Sequence, residues 1–173
     1  MLCVASTHPT ASFYAVERQP PLLELLRRNV VHNDLEDRVE MVAGDLRDRE
    51  LLTPHSCDLV LANPPYTPAD AGQLSTDPIR RDAHSEQHGT LGDFIAAAAY
   101  LAKPNGLFRA IFPPKRLLDA LAALESTDFG VLSLQFFHGT RDHDAYLVRL
   151  TAKRGARGET TVLPPRFVRE PTT

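Results

Sequence analysis

Residues 58–66 read Asp-Leu-Val-Leu-Ala-Asn-Pro-Pro-Tyr, and this stretch decides how the rest of the chain is interpreted. Its apolar part, residues 58–62, has the length and composition of a buried β-strand. The tetrapeptide Asn-Pro-Pro-Tyr, residues 63–66, follows that strand without a linker. Because open α/β sheets bind ligands beyond the carboxyl ends of their strands, we expect this tetrapeptide to lie in a binding site.

The tetrapeptide carries groups that suit the activation of a weakly nucleophilic nitrogen. An exocyclic amine on a base, or an amide, reacts poorly because its lone pair is delocalised. The side-chain carbonyl of Asn63 and the backbone carbonyl of Pro64 can accept its two N–H bonds and favour a more pyramidal nitrogen. Pro65 stiffens the turn, and Tyr66 offers a ring on which a base taken out of its helix can stack. The alternative is a rigid turn with a surface tyrosine.

Strand and helix patterns alternate along most of the chain, which predicts an α/β fold with helices on both faces of a mostly parallel sheet. The final strands follow one another without helices, so we expect an antiparallel edge at the C-terminal end. The predicted helices open at Pro20, at Thr90 and at Pro113. The predicted strands cover residues 12–16, 39–43, 58–62, 107–112, 130–137 and 145–150.

The length of 173 residues predicts a single domain over residues 1–173. Hydrophobic residues make up 43% and charged residues 24%, which excludes wholesale disorder. Residues 67–89 break the alternation and are rich in Pro, Asp, Ser, Arg and His. Because so long a loop in a compact domain is usually functional or disordered, we interpret residues 67–89 as a substrate-recognition loop.

Two acidic residues follow the other predicted parallel strands. Glu17 ends the strand Phe-Tyr-Ala-Val, where a carboxylate can bind ribose hydroxyls. Asp45 follows Gly44 at the end of the next strand, where it can accept from the amino group of an adenine whose face packs on Leu46. Each signal is weak alone. Since Glu17, Asp45 and Asn63 each follow one of three successive strands, we expect them along one rim of a sheet.

With these residues the chain resembles the class I S-adenosylmethionine-dependent methyltransferases, with a Rossmann-like sheet, and more narrowly the bacterial tRNA (adenine-N6) methyltransferases. Asn-Pro-Pro-Tyr is typical of amine methylation in general, whereas the segments after it point to the tRNA branch. The resemblance covers nearly the whole chain. It rests on Ala15-Val16-Glu17, Gly44-Asp45, residues 58–66, Arg81–Glu86, Leu91–Phe94, Leu147–Arg149 and Leu163–Pro165.

The resemblance implies S-adenosylmethionine as cofactor and tRNA as substrate, with N6 of an adenine as acceptor. It implies that the cofactor contacts are Glu17, Arg18, Asp45, Leu46 and Asn63, and that the catalytic residues are Asn63, Pro64, Pro65 and Tyr66. Catalysis would rest on positioning and electrostatics. The cations of the loop, which would contact RNA phosphate or would be solvated charges, are Arg80, Arg81 and His84.

The glycine-rich turn of this fold is the feature that the sequence lacks. That turn precedes the acidic residue of the second strand by about 20 residues. Glu17 is the seventeenth residue, and no glycine precedes Gly44. We therefore expect the first strand and most of the first helix to be missing, through a misassigned start, a fragmentary gene or a strand supplied by a partner. On that hypothesis these residues are a weak or inactive methyltransferase.

Charge and composition leave other functions open. Residues 149–173 carry six basic and two acidic residues in a chain of net charge −3, so this basic segment could contact a polyanion or be a solvated turn. The alternatives are methylation of DNA adenine, rRNA guanine or a protein glutamine, and a non-catalytic RNA-binding remnant. Two cysteines, no spaced histidine ligands and no signal or membrane segment predict a cytoplasmic protein without metal.

Overall fold

The computed structural model describes residues 2–64 and 89–168, which fall into two compact units. The first unit spans Met1–Leu51 and the second Leu52–Thr173. Each has a hydrophobic core of its own. Single-domain organisation over residues 1–173 stays a prediction, and the units are described separately below.

The first unit is a two-stranded parallel sheet with two helices. Its elements are α1 (Leu2–Thr7), β1 (Phe13–Glu17), α2 (Pro20–His32) and β2 (Val39–Ala43). The parallel pairing runs in register from Phe13 opposite Val39 to Glu17 opposite Ala43. Along β1 the side chains alternate, so Phe13 and Ala15 pack against the core while Tyr14 is 48% exposed. The buried core residues of this unit are Ala5, Val30, Leu35 and Val39.

In residues 52–64 and 89–168, the second unit shows a six-stranded sheet and two α-helices. Its order along the sheet is β3-β4-β6-β5-β7, and β8 also pairs with β5. The elements are β3 (Cys57–Ala62), α3 (Leu91–Leu101), β4 (Ala102–Phe112), a short 3₁₀ helix (Pro114–Arg116), α4 (Leu117–Glu125), β5 (Phe129–His138), β6 (Ala145–Arg154), β7 (Thr161–Val162) and β8 (Arg166–Phe167).

Strand direction in the larger sheet sets which strand ends lie together. β3 is parallel to β4, and β6 is antiparallel to both β4 and β5. Consequently β3, β4 and β5 run in one direction, and their last residues, Ala62, Phe112 and His138, lie at one edge. We call this edge the carboxyl rim. The strand β6, which is antiparallel to both of its neighbours, lies between β4 and β5. The outer strands β7 and β8 are parallel to β5.

One face of the larger sheet forms the main core. Phe108, Ala110 and Phe112 of β4 lie opposite Ala152, Leu150 and Val148 of β6, and all six are buried. The buried residues of α3 and α4 belong to the same cluster and are Leu91, Ile95, Ala98, Ala120 and Leu124. This alternation of buried and more exposed residues is the pattern from which the strands were predicted.

The predicted α/β class and Rossmann-like sheet are confirmed, and several element boundaries differ, most of all the start of β4. The sequence predicts that the helix after Thr90 continues to about Lys103 and stops at Asn105-Gly106. The helix ends at Leu101, and β4 begins at Ala102. Asn105 has φ of 65°, and the pairing with β3 jumps from Ala102 to Leu107, so the residues between form a bulge. Glycine is required there, since a Cβ at Gly106 would lie 2.8 Å from the Lys103 carbonyl.

The three acidic or amide residues at strand ends are distributed over two sheets. Glu17 and Asp45 follow β1 and β2 of the smaller sheet, and Asn63 follows β3 of the larger sheet. One common rim for Glu17, Asp45 and Asn63 stays a prediction. None of the helices in the described ranges is long and apolar enough to cross a membrane.

Candidate active site

The two residues that follow β3 lie in opposite environments. Asn63 is exposed at the carboxyl rim, and Pro64 is fully buried. The backbone at Pro64 is restricted, because proline fixes φ and the ring is buried. An exposed amide next to this restricted backbone is suited to bind a group that approaches the rim. The predicted catalytic residues Pro65 and Tyr66 lie outside the described residues.

The N-terminus of α3 is closed by its own side chains. Thr90 and Asp93 form a capping box, in which the Asp93 amide donates to Thr90 Oγ1 at 3.2 Å and the Thr90 amide donates to Asp93 Oδ2 at 2.7 Å. This satisfies two backbone groups that the helix leaves unpaired. Asp93, one of the residues behind the family resemblance, therefore has a structural role here.

Glu17 and Asp45 lie at the same edge of the smaller sheet. Glu17 is opposite Ala43 in the parallel pairing, and the amide of Gly44 donates to the Glu17 carbonyl at 3.2 Å. Asp45 follows immediately. A Cβ at Gly44 would meet the end of the flexible Leu51 side chain, which would have to shift. The structure thus brings these two predicted cofactor residues together within the first unit.

The Glu17 carboxylate is held at the start of α2. Its Oε1 accepts a hydrogen bond of 2.7 Å from the backbone amide of Gln19, directly before the helix. A carboxylate accepts several hydrogen bonds, so this contact orients the group and leaves it lone pairs for a ligand hydroxyl.

Asp45 is held by an arginine that the sequence reasoning missed. The guanidinium of Arg47 donates to both carboxylate oxygens, at 2.9 Å to Oδ1 and 2.6 Å to Oδ2, and the Arg47 amide donates to Oδ1 at 3.0 Å. These hydrogen bonds, chiefly that of the side chain, lower the pKa of Asp45 to about 2, with a smaller electrostatic effect from Arg18. The two-residue spacing of Asp45 and Arg47 was the available signal.

The remaining predicted cofactor residues differ in exposure, and the predicted substrate residues are not described. Arg18 is exposed and Leu46 is half-buried, next to Asp45 in the chain. Arg80, Arg81 and His84, with nearly all of the proposed recognition loop 67–89, lie outside the described residues. Among the residues that the structure does describe, no group of three His, Cys, Asp or Glu side chains is placed to hold a metal ion.

The carboxylates of the first unit fit the polar groups of S-adenosylmethionine. The cofactor presents ribose hydroxyls and an adenine amino group, all of which donate hydrogen bonds. Glu17 and ionised Asp45 are acceptors only, and both are oriented by contacts within the chain. The donor–acceptor chemistry of the two carboxylates is thus complementary to these groups.

Comparison with known proteins identifies methyltransferases as relatives. The chain is 29% identical over 121 residues to the tRNA1(Val) (adenine(37)-N6)-methyltransferase of Porphyromonas gingivalis, covering 68% of this chain and 47% of that protein. It is 30% identical to the release factor glutamine methyltransferase of Mycolicibacterium smegmatis, over 96% of this chain and 53% of that protein. The chain therefore spans about half the length of these curated relatives. No protein-family model matches it.

Solved structures share the fold. A predicted O-methyltransferase from Agrobacterium tumefaciens superimposes with a TM-score of 0.79 at 24% identity, covering 99% of this chain and 76% of that one. At this identity the likeness establishes the fold alone. The chain is thus similar in sequence to methyltransferases, tRNA (adenine-N6) methyltransferases among them, and it shares the fold of a solved methyltransferase structure.

Proposed function

We propose that the chain methylates an exocyclic amine with S-adenosylmethionine, and that the acceptor is N6 of an adenine in tRNA. The observation that carries this proposal is the exposed amide of Asn63 beside the buried ring of Pro64, at the end of β3. The similarity to tRNA1(Val) (adenine(37)-N6)-methyltransferases supports tRNA as the substrate class.

Asn63 acts on the nitrogen that receives the methyl group. Its side-chain carbonyl accepts a hydrogen bond from one N–H of the amine, and the Pro64 backbone carbonyl accepts a hydrogen bond from the other N–H. These two hydrogen bonds favour a pyramidal nitrogen. Its lone pair is then less delocalised into the ring and points at the methyl group that is to be transferred. Because the turn is rigid before substrate binds, the reaction needs little reorganisation of these acceptors.

Glu17 and Asp45 would bind the cofactor. S-adenosylmethionine supplies an electrophilic methyl group on a sulfonium sulfur. Glu17 accepts from the ribose hydroxyls and Asp45 from the adenine amino group, with Arg18 and Leu46 beside them in the chain. No strong base is needed, because the nitrogen becomes more acidic once it is methylated and releases its proton to solvent.

A glutamine amide is the second candidate acceptor. It too has a planar nitrogen with a delocalised lone pair, so it needs the same pair of carbonyl acceptors. The similarity to a release factor glutamine methyltransferase, which extends over 96% of this chain, is the specific observation in its favour. Asn63 and Pro64 do not distinguish the two acceptors, so the discrimination must come from the rest of the substrate surface.

The test removes the amide oxygen and measures two steps. In Asn63→Ala we expect the single-turnover rate of methyl transfer to fall by about 100-fold or more. Cofactor affinity by calorimetry should fall much less than the rate, because Asn63 is one of several cofactor contacts and Glu17 and Asp45 remain. Excess enzyme is used because the activity of these residues is expected to be weak. A tRNA transcript and a glutamine-containing peptide are offered in parallel.

The matched control is Glu17→Gln. It keeps the size and shape of the side chain but removes the carboxylate that accepts hydrogen bonds from the ribose hydroxyls. This variant should lose cofactor affinity and retain the fold by circular dichroism. An Asn63→Ala chain that transfers methyl groups at the wild-type rate would refute the assigned role. Methylation of the peptide but not of the tRNA would make the glutamine amide the acceptor.

A further inference from the structure

We propose that the end of β5 carries an RNA-docking surface. This surface binds part of the substrate RNA at a distance from the amine that reacts. This surface consists of His138, Arg141, Arg166 and Phe167, and we call it the stacking cluster. The inference rests on the proposed function in one respect, that the acceptor belongs to an RNA.

The stacking cluster places two planar side chains, those of His138 and Arg141, against the ring of Phe167. The centroid of the Phe167 ring lies 5.6 Å from that of His138, with the rings tilted by 45°. The guanidinium carbon of Arg141 lies over the same ring at 5.3 Å from its centroid. Phe167 reaches this position because β8 pairs with β5, which sets it opposite His138 and sets Arg166 opposite Phe137. Aromatic rings and guanidinium planes are the groups on which unpaired RNA bases stack.

Hydrogen bonds build the cluster before any substrate binds. Nδ1 of His138 lies 2.8 Å from the carbonyl of His143, and the Thr140 hydroxyl lies 2.6 Å from Nδ1 of His143. The Val168 amide donates to the His138 carbonyl at 3.0 Å. Phe167 and His138 are half-buried, whereas Arg141 and Arg166 are exposed and free to reach phosphate. A platform held this way loses little side-chain freedom on binding.

The position of the cluster relates it to Asn63 within the second unit. His138 ends β5 at the carboxyl rim, the edge that also carries Asn63. Four strand spacings of about 4.8 Å separate β3 from β8, which gives roughly 19 Å along the rim. At about 3.4 Å per stacked nucleotide, that span is roughly five or six nucleotides. The cluster would therefore bind nucleotides that flank the target, and not the target itself.

The charges around the cluster indicate discrete contacts and not a broad basic field. Asp142 and Asp144 lie in the same turn as Arg141 and offset its charge. Arg154 of the basic C-terminal segment is engaged by backbone carbonyls at the other end of β6. Binding would then depend on stacking and on two arginine–phosphate contacts. A glutamine peptide has no planar bases to stack, so the cluster favours RNA as the substrate class.

The experiment titrates a fluorescent tRNA transcript without cofactor, at several salt concentrations. Phe167→Leu keeps an apolar side chain but removes the aromatic face, and we expect about tenfold weaker binding with the salt slope unchanged. Phe167→Tyr should restore the affinity. Arg141→Ala should weaken binding and make the slope of log K against log salt shallower by about 0.7. Arg157→Ala is the charge-matched control, since Arg157 is exposed and contacts only the neighbouring Ala156 carbonyl among the bonds described.

The outcomes separate this inference from the proposed function. Wild-type tRNA affinity in both Phe167→Leu and Arg141→Ala would overturn the docking surface, even if tRNA is methylated. Equal losses in Arg157→Ala would show a non-specific charge effect and would overturn it as well. If the predicted losses occur but neither acceptor is methylated, the docking surface stands and the proposed function fails.

Discussion

At the scale of single residues, the environment of Pro64 explains why Asn63 is suited to bind an acceptor. The proline ring is fully buried, and the asparagine beside it is exposed. The buried Pro64 leaves the neighbouring Asn63 little backbone freedom. A trans peptide bond leaves two soft dihedrals per residue, and the proline ring fixes one of them. The order Asn-Pro was visible in the sequence, but the depth of the ring was not.

The ion pair of Asp45 with Arg47 gives a prediction about pH. The pKa of Asp45 falls from 3.8 to about 2 in the folded chain. The stabilisation is therefore complete above about pH 4 and is lost as the pH falls through about 2, since the unfolded state then binds the extra proton. Asp45→Asn should lower the free energy of unfolding by less than about 1 kcal/mol at pH 7, because the pair is partly exposed.

Urea denaturation between pH 2 and pH 7 measures this effect. The difference between the wild type and Asp45→Asn should narrow as the pH approaches the lowered pKa. Asp37→Asn, at an exposed position, is the control and should change the unfolding free energy by no more than about 0.5 kcal/mol. A difference that grows toward acid pH would contradict the assigned ion pair.

At the scale of elements, Arg154 joins the end of α3 to the end of β6. Its Nη1 lies within hydrogen-bond distance of the carbonyls of Ala99 (2.9 Å) and Ala102 (2.8 Å) and of Nδ1 of His55 (2.7 Å). The last carbonyls of a helix have no partner within the helix, and a cation there also suits the helix dipole. Arg154 thus satisfies the C-terminus of α3, which is closed at its other end by Thr90 and Asp93.

We expect Arg154→Ala to destabilise the chain by about 1–3 kcal/mol, because the partly buried carbonyl of Ala99 loses its arginine partner and that of Ala102 keeps only His55. Chemical denaturation measures the loss. Arg154→Lys should recover only part of the stability, since a lysine presents no planar fork of donors. Arg157→Ala on the exposed turn should cost at most about 0.5 kcal/mol. Equal costs for the two alanine variants would argue against the capping role.

The elements themselves were largely predictable, and their boundaries less so. The predicted strand over residues 39–43 is observed as Val39–Ala43, and Gly155 and Gly158 have positive φ in the turn where the sequence places them. The early start of β4 was missed because its bulge is stabilised by pairing with β3, which lies 40 or more residues earlier. Local periodicity carries no information about such a partner.

At the scale of the whole molecule, the two units have cores of unequal size. Among the residues that the structure describes, the smaller core has four buried residues beside a two-stranded sheet, and the larger has fourteen beside six strands. Two-stranded sheets have little stability of their own, and opening free energies rise with buried apolar contacts. We expect amides of β1 and β2 to exchange with deuterium at least about tenfold faster than the slowest amides of β4 and β6.

Hydrogen exchange followed by mass spectrometry or nuclear magnetic resonance at neutral pH tests this order. The central strands β4 and β6 serve as the internal reference, since Phe108, Phe112, Val148 and Leu150 are fully buried there. Equal protection of both sheets would mean that the smaller sheet gains stability from more than its own core.

The amino-acid sequence by itself determined the α/β class, most helices and strands, the position of Asn63 and Pro64 directly after β3, and the acidic residues at the ends of β1 and β2. These features follow from periodicity, turn chemistry and strand-end position, which are local properties of the chain. Tertiary structure alone decided that β6 lies between β4 and β5, that Pro64 is buried, that Arg154 caps α3, and that Phe167 stacks on His138. Each of these depends on which distant segment supplies the partner, and that choice is made by burial and hydrogen bonding across the whole sheet.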